Sequence, residues 1–128
     1  MSRIVLDASA ILALLNKEHG SKTVELNIPK GLISAVNLSE VISVLGNIGM
    51  SHHDAIKLTD DLLHEVIPFD KAQAAVAAEM RSVTKSLGLS LGDRACIALG
   101  QKLQLPIYTA DKIWNEVQLD NIDIRLIR

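Results

Sequence analysis

The chain has 128 residues, 48% of them apolar and 22% charged, which is the composition of one folded domain and excludes a disordered segment. Thirteen Lys and Arg stand against 15 Asp and Glu, a formal charge of -2, so no strong basic field draws the chain onto nucleic acid. Three aromatic residues, Phe69, Tyr108 and Trp114, are too few for the stacking platforms of single-strand binders, and the lone Cys96 excludes a disulfide framework and a cysteine zinc site.

Taken in order, Arg3 to Leu6 is a short apolar run that predicts a buried strand. Ala8 to Asn16 is apolar nearly all round and predicts a helix buried in the core. Glu18-His19-Gly20 breaks the chain, a short helix covers Lys22 to Leu26, and Pro29 ends it. Gly31 to Val36 predicts a second buried strand. Leu38, Val41, Ile42, Leu45 and Ile48 then recur at helical spacing, as do Ala55, Leu58, Leu62, Leu63 and Val66. Val66 to Phe69 reads as a strand, and Val76, Met80, Val83 and Leu87 as one long helix stopped at Gly88. A helix over Leu91–Leu103, a strand over Ile107–Thr109, and a half-exposed edge strand with Ile122, Ile124 and Leu126 on one face complete the chain. Strands alternating with helices predict an α/β domain over residues 1–128, with a mainly parallel sheet of about five strands and six or seven helices. No apolar run approaches the roughly 20 residues of a bilayer span, and Asp7 arrives before a signal-peptide core could fit. The expectation is a soluble, cytoplasmic protein.

In such sheets the chemistry lies beyond the carboxyl ends of the strands. Asp7 follows the first strand, Glu40 the second, and Asp111 the Tyr108-Thr109 strand, while Asp93 opens the Leu91–Leu103 helix. Four carboxylates converging there would repel one another, and a hard divalent ion with oxygen ligands, Mg²⁺ or Mn²⁺, relieves the repulsion. Such an ion suits phosphodiester hydrolysis, with a metal-activated water as nucleophile.

Each acid also has a structural reading. Asn37-Leu38-Ser39-Glu40, Ser90-Leu91-Gly92-Asp93 and Ser51-His52-His53-Asp54 all resemble capping boxes, and Asp7 and Asp111 could be N-caps. Asp54 has the box but no preceding strand, and it is expected to cap only. The histidines, His19, His52, His53 and His64, have no metal-ligand spacing. Cys96 reads as a small buried hydrophobe and Trp114 as a core anchor.

The segments IVLDASAIL, NLSEV, LSLGDRACIALG and PIYTADKIW, in that order, resemble the PIN-domain ribonucleases and, within them, the VapC-type toxins of toxin–antitoxin pairs. The resemblance runs along the whole chain. It implies an α/β/α sandwich and Mg²⁺- or Mn²⁺-dependent endoribonuclease activity on RNA. It also implies a homodimer and inhibition by a cognate antitoxin. By the same resemblance Asp7, Glu40, Asp93 and Asp111 are the metal-binding acids, and Ser9 and Thr109 are hydroxyls that orient a ligand or the substrate. One position departs: where many relatives carry a further acid, this chain has Asn115. With the four acids set aside, 11 acids remain against 13 basic residues, a surface that tolerates RNA. Arg94, Lys112, Lys17 and Arg81 are candidates to meet phosphate, each against a reading as a solvated charge. A mean hydropathy of +0.26 is on the apolar side for a chain this small, consistent with surface covered by a second copy or by an antitoxin helix. The alternatives are a receiver-like phosphoacceptor domain, with Asp70 as acceptor, and a PIN-like binding module without catalysis.

Overall fold

The computed structural model describes residues 2–128. Five strands form one sheet in the order β3-β2-β1-β4-β5, and every neighbouring pair is parallel. They are β1 (Ile4–Leu6), β2 (Gly31–Ser34), β3 (Val66–Ile67), β4 (Pro106–Thr109) and β5 (Asp123–Leu126). The helices are α1 (Ala8–Leu15), α2 (Ser21–Asn27), α3 (Ala35–Asn47), α4 (His52–Leu62), α5 (Lys71–Glu79), α6 (Arg81–Thr84) and α7 (Leu91–Leu103), with 3-10 turns at Ile28–Lys30, Lys85–Leu87 and Lys112–Glu116.

Alternation along the strands builds two cores. Ile4, Leu6 and Ile33 face one way, onto α1 to α4 through Ile11, Val24, Val41, Leu45 and Ala55. Val5, Leu32 and Ile107 face the other way, onto α5 to α7 and Trp114, through Ala77, Met80, Cys96 and Leu99. The result is the expected three-layer α/β/α sandwich, with β1 central and buried throughout. The order is not the 2-1-3-4-5 arrangement of receiver-type sheets.

Three expectations need correction. The apolar run 31–36 is strand only to Ser34, whose hydroxyl accepts the Val36 N–H and starts α3 at Ala35. Asn37-Leu38-Ser39-Glu40 therefore lies inside α3 and caps nothing. The expected long helix over 76–87 is three pieces. The chain bends at Met80, where the Thr84 hydroxyl donates back to the Met80 carbonyl at 2.9 Å, and then tightens into a 3-10 turn. Its stop is as expected: Gly88 has φ +70, a conformation that favours glycine. The strand expected over 66–69 is only Val66–Ile67.

Candidate active site

All four acids lie at or just beyond the carboxyl edge of the sheet or at the helix that approaches it, but they differ in what they do. Asp7 sits between β1 and α1 with extended backbone. It occupies the N-cap position, yet its side chain caps nothing. It is buried, and its Oδ2 takes two hydroxyl protons, from Ser9 at 2.6 Å and from Thr109 at 2.9 Å. Those hydroxyls in turn accept main-chain N–H groups from the segment after β4, Ala110 to Ser9 at 3.0 Å and Asp111 to Thr109 at 3.1 Å. Two residues 100 positions apart thus tie the end of β4 to one carboxylate oxygen.

Burial pushes the Asp7 carboxyl up from the usual 3.8 to about 6. The two hydroxyl bonds oppose this, and the charges of Asp93 and Glu40 add to it. Glu40, half-buried on α3, is also raised, by burial first and by Asp93, against a bond donated by the Asn37 amide at 2.7 Å. The Cys96 thiol, fully buried on α7, is pushed well above its usual range by burial and then by Asp7, Asp93 and Glu40, so it has no nucleophilic character. Three carboxylates therefore share one electrostatic neighbourhood.

Asp93 and Asp111 spend an oxygen on the backbone. Asp93 completes a capping box with Ser90, its Oδ2 accepting the Ser90 N–H at 2.9 Å while Ser90 Oγ accepts the Asp93 N–H at 3.1 Å. Asp111 Oδ1 accepts the Ile113 N–H at 3.2 Å and caps the 3-10 turn. Among the described residues no three acids, histidines or cysteines stand close enough to form a ready-made metal cage. The expected convergence of four carboxylates is thus corrected to a looser grouping. Two of the four, Asp93 and Asp111, each give one oxygen to a backbone N–H at a helix or turn start.

The donor set nevertheless suits a hard cation. Among the described residues, Asp7 Oδ1, Glu40 Oε2, Asp93 Oδ1 and Asp111 Oδ2 take no hydrogen bond, so each acid is anchored by one oxygen and keeps the other free. All are carboxylates, the ligands Mg²⁺ and Mn²⁺ prefer.

Of the candidate phosphate contacts, Lys17, Arg81 and Lys112 are exposed. Arg94 is not free: its guanidinium donates to the Ala77 carbonyl at 2.8 Å and ties α7 to α5. Asp70 caps α5 through Gln73 N–H at 2.9 Å and pairs with Lys102 at 3.4 Å, which is structural work and not that of a phosphoacceptor. Asp54 sits in the first turn of α4, where Ser51 caps. His19, His52, His53 and His64 are exposed. Trp114 is buried as expected, and its indole N–H has no partner among the described residues. Sequence reasoning missed Asn37 and Gly92 as parts of this site. An amide three residues before an acid within one helix was the available signal for Asn37.

Fold and edge together define a class: an α/β/α domain with an acid group at the carboxyl edge of a parallel sheet. The chain belongs to the PIN domain family, whose model matches residues 4–119. No curated protein is similar enough to count as a relative. Among solved structures it is similar to the DNA-bound VapBC from Salmonella typhimurium, with a TM-score of 0.75, 19% identity and all of both chains covered. It is also similar to VapBC2 from Rickettsia felis bound to a promoter DNA fragment, with a TM-score of 0.73 and 14% identity over 96% of this chain and 97% of that one. VapBC-5 from Mycobacterium tuberculosis matches with a TM-score of 0.65 and 20% identity over 97% and 98%. These likenesses are of fold. No helix among the described residues is long and apolar enough to cross a membrane.

Proposed function

We propose that this chain is a Mg²⁺- or Mn²⁺-dependent endoribonuclease, the toxin of a VapBC-type toxin–antitoxin pair. Its partners would be an RNA substrate, a cognate antitoxin and a second copy of itself, and it would act in the cytoplasm. The observation that carries the reading is Asp7. Its carboxylate is buried, is held by two hydroxyls without capping α1, and lies in the field of two further acids. A buried, like-charged carboxylate is costly in the cation-free chain and is relieved by a divalent ion.

Asp7, Glu40, Asp93 and Asp111 would hold the ion through their free oxygens. When bound, it would polarise a water and stabilise charge on the leaving oxygen of the phosphodiester. Ser9 and Thr109 hold Oδ2 of Asp7, which would leave Oδ1 for the ion. The Ala110 and Asp111 N–H bonds to these hydroxyls keep the Asp111 backbone in register with Asp7. Asp93 and Asp111, anchored by their caps, would each turn only the remaining oxygen to a ligand.

The rival reading is a PIN-fold binding module without catalysis, favoured by the lack of a preassembled three-acid cage among the described residues. The two part in one assay: structured RNA incubated with the purified chain and Mg²⁺ or Mn²⁺, then with EDTA, then with metal restored. Cleavage that stops with EDTA and returns with metal supports the nuclease. Intact RNA in every arm supports the binding module.

A further inference from the structure

We propose that Asn37 and Gly92 together are the positioning device for Glu40, clamping its carboxylate between the α3 backbone and the first turn of α7 so that it and Asp93 meet the same cation. The inference rests on the nuclease reading and deepens it. Asn37 is completely buried, and its amide nitrogen donates twice, to Glu40 Oε1 at 2.7 Å and to the Gly92 carbonyl at 3.0 Å. Both partners are acceptors only, so the amide can face them with its nitrogen alone. Among the described residues its oxygen is left buried without a partner. An unpaired buried acceptor lowers stability, so Asn37 is a poor choice for packing alone.

Gly92 supplies the other jaw. A Cβ built there would overlap Glu40 Oε1 and lie 2.6 Å from Cδ and from Oε2. The carboxylate fills the space that any other side chain would claim. Gly92 immediately precedes Asp93, so the amide bridge fixes the acid of α3 against the backbone that carries the acid of α7. Both residues are buried, away from any bound substrate. Each acts through Glu40.

The test is Mn²⁺ titration calorimetry of the wild type, Asn37→Ala and Gly92→Ala, with steady-state RNA cleavage and a thermal melt of each. Partners that orient metal ligands typically change metal affinity or activity 10–100-fold. The Mn²⁺ dissociation constant is expected to rise by that factor in both variants, with kcat lowered and KM for RNA unchanged. Gly92→Ala should fold normally. The three atoms nearest the added methyl all belong to the Glu40 carboxylate, the far end of a flexible side chain that can swing aside, and alanine favours a helix over glycine. It therefore decides the question even if Asn37→Ala fails to fold. A wild type that binds Mn²⁺ and cleaves, with both folded variants matching it, overturns the clamp alone. A wild type that neither binds nor cleaves overturns the nuclease reading and the clamp with it.

Discussion

Asp7→Asn separates the cost of the buried charge from its use. Asparagine keeps the shape and can still accept the Ser9 and Thr109 hydroxyls. The folded chain raises the Asp7 carboxyl from 3.8 to about 6 and so binds its proton more tightly than the unfolded chain does. The stability this proton contributes is complete below pH 3.8 and is lost as pH rises through about 6. At about 1.4 kcal/mol per pH unit, the full loss is about 3 kcal/mol. About 2 kcal/mol of that falls between pH 4.5 and 8. For a domain of this size that is about 7 °C in melting temperature, at roughly 2.1 cal/mol/K of unfolding entropy per residue. Thermal melts in EDTA should therefore show Asp7→Asn gaining on the wild type by about this amount between the two pH values, with other titrating groups cancelling in the comparison. Millimolar Mn²⁺ at pH 8 should raise the wild type and leave the variant unmoved. A gap that is flat with pH would refute the claim that Asp7 is a costly buried charge.

Thr109→Val removes one of the two bonds that hold the Asp7 carboxyl down, so its titration by carbon NMR should move further up, and stability should fall by about 1–3 kcal/mol. Asp93→Asn keeps an oxygen for the Ser90 N–H and should cost less than about 1 kcal/mol in the melt, while RNA cleavage drops at least about 100-fold. Asp54→Asn is the matched control. It touches only the first turn of α4, and its cleavage rate should equal that of the wild type, with about 0.5 kcal/mol lost in the melt.

Where local chemistry is strong, the sequence is readable to within a residue. The start of α7 is legible in the Ser90–Asp93 box, while the left-handed turn at Gln104 that ends it has no sequence signal. β1 and β4 are short apolar runs, and both strands fall where they were expected. The start of α3 was misread because Gly31 to Val36 is apolar in either conformation, and one hydroxyl, that of Ser34, decides it. Asn37 looks like a cap in sequence and is a strut between two helices in the fold, since its partner Gly92 is 55 residues away. The pairing of Ser9 with Thr109 around one oxygen of Asp7 is set by the β1–β4 register, which no local pattern encodes. The grouping of acids is looser than their places at the sheet edge suggest, and two of them, Asp93 and Asp111, each answer a backbone N–H.

The most direct test of the account compares RNA cleavage by the wild type, Asp7→Asn and Asp54→Asn in Mg²⁺ and in Mn²⁺, with circular dichroism confirming each fold. Cleavage by the wild type and Asp54→Asn, and none by a folded Asp7→Asn, is the predicted result. Equal cleavage by all three would contradict the assignment of Asp7 as the acid at the centre of the site.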